Sequence, residues 1–454
     1  MQRIANPSRS VRFRLAPPTD HLWDKILFVK SSRPDTPPRL PSSVIAVRVF
    51  LLFAAAYFMS YALRSINAAL APLLAEDLHL SAGALGWLAS AFFLSFAALQ
   101  WPLGVWLDKY GSRITEAMLL CIAAVGTLIM AISDSLPVLS FGRILIGVGV
   151  SACLMAPYSY FRRHFAADRQ AQLAMWMLVA GTMGALASTR PALSLAEWLG
   201  WRSLFYLATI LLLACALALW MLVPDDKPAK SAASHAEHGK SSPPAKDANG
   251  EADSFLRILK HPYMLRVIPT TLFFSGGFTA LHSLWSGPWM TDVLGMQPTE
   301  AGNALLIFNI ALLLSYVGMS FLSPWLDKRS FALERQSLIG LFWFSGLLWV
   351  IIFWHAPGAW WCWVIMTIGI PAVILLQTQT ALLFPKHVAG RVLTTFNLVM
   401  FVGAFLLQWG IGLMVDLLQS FGSSRANALS FAFAVMGVLQ LASLGWYLKM
   451  RKSA

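Results

Sequence analysis

Long apolar runs dominate the chain, and short polar or charged segments interrupt them at regular intervals. A helix needs roughly 20 apolar residues to cross about 30 Å of hydrocarbon, and twelve runs approach that length. The pattern therefore predicts twelve membrane-spanning helices. They cover roughly residues 46–74, 84–106, 114–133, 138–159, 171–193, 202–223, 264–288, 301–325, 336–354, 359–384, 392–415 and 425–448.

A polar segment divides the spans into two sets of six. Residues 224–262 are rich in Pro, Ala, Ser and Lys, a composition that cannot bury a core and is typical of a flexible linker. We predict an N-terminal six-helix bundle over residues 46–223, and a C-terminal bundle with a short tail over residues 263–454. Residues 1–45 carry eight basic residues and several prolines, which predicts a basic, disordered tail.

Composition agrees with a membrane protein. The chain is 57% apolar and 12% charged, with a mean hydropathy of +0.64, whereas soluble domains are about 25% charged. Its four cysteines lie in or beside apolar runs without metal-ligand spacing, so we expect no metal site. There is no phosphate-binding loop, HExxH motif or nucleophile elbow, so we expect neither an enzyme nor a bound cofactor.

The positions of Lys and Arg predict the orientation. With both termini and the linker in the cytoplasm, 29 of the 34 basic residues lie at inner segments or inner membrane edges. The outer loops would then hold only Arg190, Arg202 and Arg425. The net charge of +13 is explained by this orientation in a lipid bilayer, so we expect no nucleic-acid partner.

The tetrapeptide WLDK occurs at residues 106–109 and again at 325–328, each time at the end of the second span of its half. A chance match at a membrane boundary is one explanation. Duplication of a six-helix unit explains the equivalent position in both halves, and parallel repeats of this kind are a transporter architecture.

The first copy lies in a longer motif. Residues 104–113 match G-x-x-x-D-[RK]-x-G-[RK]-[RK], the loop signature of the major facilitator superfamily, except at Ser112. FGRILIGVG at 141–149 and GWRSLF at 200–205 resemble parts of that family's fourth and sixth helices. Over about residues 46–450 the chain thus resembles this family, which implies an all-α membrane protein of two six-helix bundles, acting as a monomeric secondary transporter.

This loop is predicted to act as a conformational latch. Asp108 can accept charge-assisted bonds from Arg113 or face a helix N-terminus, while Gly104 and Gly111 permit close backbone approach. The second copy keeps charges but lacks these glycines, so we expect a weaker latch there. The complete predicted set is Gly104, Asp108, Lys109, Gly111 and Arg113, with Asp327 and Lys328 in the second half.

Ionisable groups inside a membrane are costly and indicate function. Within the predicted spans we find Arg64, Arg143 and His282, and no Asp or Glu near the middle of any span. Two arginines without a carboxylate predict a cavity that attracts anions. Arg143 could equally serve structure or coupling, and His282 could be either a proton site or a hydrogen-bonded packing residue.

Arg64 lies near the middle of the first span, where Tyr61 and Asn67 at i−3 and i+3 share its face. YALRSINAALAP at 61–72 resembles the first helix of organophosphate antiporters and of organic-anion carriers, which implies that Arg64 binds the anionic group. Residues 281–295 and 384–412 resemble bacterial nitrate and organic-acid porters, but the paired arginines of the nitrate carriers have no match.

In the second half, His282, Trp285 and Gln377 are predicted to face the cavity, and Trp289 to lie in an interfacial belt. The sequence thus predicts a bacterial inner-membrane transporter for a small anion, with an organic carboxylate preferred and a proton or counter-anion as coupling ion. Drug efflux is the alternative, although the absence of a Gly-Pro pair in TMGALASTRPALS disfavours it. A non-transporting membrane sensor is a further alternative.

Overall fold

The computed structural model describes residues 43–165, 170–225, 258–329, 331–384 and 389–451, and all regular structure in them is helical. The predicted tail and linker lie largely outside the described residues. The helices are α1 (Ser43–Asp77), α2 (Ala82–Tyr110), α3 (Ser112–Ile132), α4 (Leu136–Gly149), α5 (Met155–His164), α6 (Gln170–Ala187), α7 (Arg190–Leu199), α8 (Trp201–Leu222), α9 (Pro262–Val293), α10 (Pro298–Lys328), α11 (Leu333–Phe353), α12 (Trp360–Met366), α13 (Ile370–Leu382), α14 (Ala389–Ser420) and α15 (Arg425–Arg451).

Ten helical stretches among the described residues are long and apolar enough to cross a membrane. The predicted fourth and fifth spans correspond to shorter apolar helices, Leu136–Gly149 and Trp176–Ala187. The fourth is interrupted at residues 150–154, where the Ser151 hydroxyl donates to the Val148 carbonyl at 2.7 Å and so competes with the helical ladder.

Two opposite ends of the molecule are defined by polar contacts. At one end, which we call the terminal face, Arg113 donates to the carbonyl oxygen of Val223 at 3.2 Å, just past the end of α8. At the other end, the far face, Arg202 pairs with Asp77 at 2.6 Å and also with Asp134. One arginine therefore ties the end of α1, the α3–α4 loop and the start of α8 together.

The N half (α1–α8) and the C half (α9–α15) meet along α2 and α14, which run antiparallel. The rings of Trp87 and Trp409 lie 5.1 Å apart, and farther from the far face those of Phe96 and Phe401 lie 4.8 Å apart. These aromatic contacts join the halves from the far face to mid-depth.

Two glycines show how closely the backbones of the halves approach. A Cβ at Gly86 would lie 2.8 Å from the carbonyl oxygen of Gln408, and a Cβ at Gly287 would overlap the carbonyl oxygen of Ala68. Any larger side chain would push α2 from α14, or α1 from α9.

A carboxylate completes the closure at the far face. Oδ2 of Asp416, near the end of α14, accepts bonds from the Ser81 hydroxyl at 2.6 Å and from the Gly83 backbone N–H at 2.8 Å. Asp416 thus lies at the positive N-terminal end of α2, where a negative charge is favourable.

Toward the terminal face the halves separate. Gly104 and Val105 on α2 are exposed, and nothing lies within 4 Å of a Cβ built at Gly104. The structure is therefore closed at the far face and open toward the terminal face. The space beside Gly104 is open in this conformation, and the close approach predicted there stays a prediction.

Replacing Asp416 with Asn should weaken closure at the far face. The charge-assisted bonds to Ser81 and Gly83 are worth about 1.5–3 kcal/mol, and a change of 1.36 kcal/mol shifts an equilibrium about tenfold. Spin labels at the exposed far-face positions Glu76 and Gln419 should report a larger population of long distances. Glu300→Gln, whose carboxylate bonds within the C half, is the control. An unchanged distance distribution in Asp416→Asn would contradict this account.

Candidate substrate site between the two halves

Arg64 lies at the junction of the halves, where four aromatic rings surround its guanidinium. The guanidinium carbon is 4.7 Å from the ring centre of Tyr61, 5.1 Å from Phe96, 5.6 Å from Phe401 and 5.8 Å from Phe92. Three of these rings belong to the N half and Phe401 to the C half. The contact that joins the halves is therefore also a wall of the Arg64 environment.

No carboxylate among the described residues pairs with Arg64, and its buried Nε has no hydrogen-bond partner. Each cation–π contact contributes about 0.5–2 kcal/mol, which offsets only part of the cost of holding a cation away from water. The side chain is half-buried, so part of it is still exposed. An anion that reached Arg64 would find an unpaired positive charge.

Arg143 is a second cation in the same region, and it is fully buried. Its guanidinium carbon lies 5.7 Å from the ring centre of Phe92, which Arg64 also faces. One NH group donates to the carbonyl oxygen of Leu63 at 3.2 Å, while Nε and the other NH group have no partner. Arg143 thus holds the backbone beside Arg64 and keeps unused donors.

The predicted polar stripe around Arg64 is only partly open. Tyr61 is half-buried and makes an edge contact with Tyr57, with ring centres 5.0 Å apart. A Cβ at Gly181 would lie 2.7 Å from Tyr57, so α6 packs directly on these rings. Asn67, one turn nearer the far face than Arg64, is 3% exposed.

His282 of the C half has a partner that the sequence did not indicate. Its Nε2 lies 2.9 Å from Oδ1 of Asn309 on α10, and because that oxygen can only accept, the ring nitrogen donates. The rings of Phe278 and Phe308 lie on either side, with centres 5.4 and 5.5 Å away. His282 is close enough to Arg64 to interact electrostatically. Asn309 is a polar residue inside an apolar run, and that was its only sequence signal.

Gln377 is half-buried on α13, and its amide donates to Oδ1 of Asn397 on α14 at 2.9 Å. Gln408 on the same helix donates to the Ser283 hydroxyl at 3.4 Å. The amides of α14 thus bridge helices, as polar groups in membrane bundles commonly do.

Trp285 and Trp289 are both fully buried. The indole N–H of Trp285 donates to the carbonyl oxygen of Gln408 at 2.9 Å, so Trp285 belongs to the packing near the far face. Trp289 stacks on Phe433 at 4.6 Å, which makes the predicted interfacial belt wrong. Three π-helical turns in α9, at Thr271–Gly276, Leu281–Trp285 and Trp289–Val293, alter the face on which each residue lies.

The predicted latch residues are partly described. Gly111 ends α2, and its N–H donates to the Leu107 carbonyl. Its φ of 81° is a backbone conformation that favours glycine, so glycine is needed here to end the helix. Arg113 pairs with Asp225 at 3.5 Å, and Lys109 is exposed over the Tyr110 ring. The side chains of Asp108, Asp327 and Lys328 lie outside the described part of the chain.

One acidic residue near the boundary of a predicted span is buried. Glu116, on the second turn of α3, is fully buried. The sequence places it close to a predicted membrane boundary, and only the packing shows that it turns inward. Among the described residues, no group of three or more His, Cys, Asp or Glu could hold a metal ion.

Curated relatives match parts of the chain. It is 30% identical over 158 residues to a putative uncharacterised transporter, YgaY, of Escherichia coli K12, covering 34% of this chain and 39% of that protein. It is 30% identical over 127 residues to human facilitated glucose transporter member 12 (27% and 20% covered). It is 34% identical over 94 residues to a probable sulfoacetate transporter, SauU, of Cupriavidus necator (20% and 22%). The chain thus spans about two fifths of these relatives or less.

A solved structure with a similar fold covers far more of the chain. A bacterial homologue of the human lysosomal transporter Spinster, in an inward-facing and unoccupied conformation, superposes with a TM-score of 0.70 at 18% identity. The match covers 91% of this chain and 98% of that one. A family profile described as Major Facilitator Superfamily matches residues 53–408. Family and fold point to a membrane transporter and not to an enzyme, and the chain belongs to the Major Facilitator Superfamily.

Proposed function

We propose that this protein is a secondary transporter for a small anion, with an organic carboxylate preferred, and that Arg64 binds the anionic group. The observation that supports this proposal is the half-buried guanidinium of Arg64, which has no carboxylate partner among the described residues. Its planar donors match the two oxygens of a carboxylate. The relative named for sulfoacetate supports the same class of substrate.

The two halves would contribute different chemistry. The N half supplies positive charge through Arg64, with Arg143 behind it and Tyr61 and Asn67 beside it. The C half supplies neutral polar groups, His282 with Asn309 and Gln377 with Asn397, which already satisfy one another. We therefore assign charge recognition to the N half and adjustment to the substrate's shape to the C half. Trp285 stabilises the closed far side.

Transport would follow an alternating-access cycle. Twelve spans with both termini in the cytoplasm would place the terminal face inside, so the structure would be the inward-open state of a monomer in a bacterial inner membrane. Without an anion, closing the cavity would bury an unpaired cation at high cost. An anion bound to Arg64 removes that cost, so closure is favoured when the site is loaded. A proton or a counter-anion drives net movement by mass action.

Other substrate classes would not favour an unpaired positive charge at residue 64. A cationic drug would be repelled by it, and a neutral sugar, as the relative named for glucose would suggest, would not need an unpaired charge. A membrane sensor would bind the anion without moving it. Measurements of binding with one set of ligands distinguish the substrate classes, and measurements of transport with the same ligands distinguish a transporter from a sensor.

The first test is thermal unfolding of the purified protein with acetate, succinate, glycerol 3-phosphate, nitrate, glucose and an organic cation. We expect a carboxylate to raise the melting temperature of the wild type. In Arg64→Ala the loss of about 1.5–3 kcal/mol of charge-assisted bonding should weaken carboxylate binding 10-fold to more than 100-fold. The affinity of Arg64→Lys should lie between those of the wild type and Arg64→Ala. Arg190→Ala, which removes an arginine already paired with Glu197, should behave as the wild type.

The same unfolding experiment also tests how Arg64 affects the stability of the ligand-free protein. Because Arg64 is an uncompensated cation, Arg64→Met should raise the melting temperature of the ligand-free protein while abolishing the response to anions. A ligand-free Arg64→Met protein that melts below the wild type would show that Arg64 has a structural partner. Stabilisation by glucose or by the organic cation, unchanged in Arg64→Ala, would replace the anion proposal.

We retain the latch as part of this proposal. Asp108→Asn should slow turnover several-fold and change KM less than twofold, because the latch affects the conformational step and not the site. Anion uptake into proteoliposomes over a range of concentrations separates the two constants. Glu197→Gln on the far face is the control. A higher KM at unchanged kcat would count against a latch.

A further inference from the structure

A carboxyl group without a charged partner lies inside the N half. Glu116 is 0% exposed. The thiol of Cys153, in the break between α4 and α5, lies close enough for a weak S–H hydrogen bond, and neither carboxyl oxygen has another hydrogen-bond partner among the described residues. No Lys, Arg or His of the described residues forms an ion pair with Glu116. An ionised carboxylate in this position would be uncompensated and away from water, so the packing fits only the neutral acid.

The elements packed against α3 bring few charges to Glu116. Cys215 on α8 is an uncharged thiol that interacts with it. Arg143 on α4 is bonded to Leu63, and Arg163 on α5 donates to the Ser112 hydroxyl at 2.9 Å, one turn of α3 nearer the terminal face. Other titratable groups toward that face include Tyr160, Arg162 and His164 on α5, Lys109 and Tyr110 on α2, and Arg113 on α3.

Glu116 is connected to the candidate anion site through the break at residues 150–154. Arg64 is close enough to Cys153 to act on it electrostatically, and Cys153 lies beside Glu116. The end of α4 is in backbone contact with α3, because a Cβ at Gly149 would overlap Leu119 or Ala123. A movement of the break would therefore change the surroundings of Glu116 and Arg64 together.

We propose that Glu116 is the proton-binding site of this transporter. In this proposal the structure corresponds to the loaded state, in which Glu116 is neutral and occluded and the far face is closed. Release of the proton to water on the terminal side leaves a carboxylate, which the cations at that face, Arg163 first among them, can stabilise. This inference rests on the proposed function and deepens it, because it assigns the coupling ion to a residue other than His282.

Infrared spectroscopy of the purified protein tests the loaded state without a substrate. At neutral pH the exposed carboxylates are ionised, so a protonated carboxylic-acid band should stand out, shift in D₂O, and be absent from Glu116→Gln. Thr127→Val, which changes another fully buried polar residue of α3, should keep the band. A wild-type spectrum with no band that Glu116→Gln removes would overturn the proposal.

Transport measurements test the coupling. The probes are labelled acetate, succinate, glycerol 3-phosphate and nitrate in proteoliposomes. In Glu116→Gln we expect accumulation driven by a pH gradient to fall at least tenfold, while exchange of labelled for unlabelled anion stays within threefold of the wild type. A structural role alone would lower both together, and accumulation at the wild-type level would also overturn the proposal. If the wild type exchanges none of the four anions, the anion proposal fails, and the infrared band still decides whether Glu116 holds a proton.

Discussion

An arginine without a carboxylate partner, held among aromatic rings, is the constraint on which the rest of this structure depends. Arg64 lies within 6 Å of four rings, which stabilise a cation less well than water does. The molecule tolerates this cost because one side of the site is open. In the proposed cycle, occupancy of the site and closure of the cavity would therefore be linked by the same free energy.

The closed side and the candidate site share residues. Phe401 packs on Phe96 across the junction of the halves and also faces the Arg64 guanidinium. Farther toward the far face, Asp416 holds the N-terminus of α2. Arg64 therefore lies beside the contact of α2 with α14, between the closed far face and the open terminal face.

Local properties of the sequence determined much of this protein. Apolar length located the ten helical stretches that could span a membrane and the two shorter helices, because the bilayer imposes a length that each segment must meet by itself. The rarity of ionisable residues within spans identified Arg64, which the structure places at the junction of the halves. No carboxylate among the described residues pairs with Arg64, and this was also predictable because the apolar runs contain few acidic residues.

Only the tertiary structure decided which side chains meet. Glu116 and Asp416 both lie near helix ends, where acidic residues are common. Glu116 is buried without a charged partner, whereas Asp416 joins the halves. Trp289 was expected at the membrane boundary and is stacked inside, because π-helical turns rotate α9 in a way that regular periodicity does not anticipate. Burial and pairing depend on neighbours distant in the chain, so no local pattern of charge or hydropathy contains them.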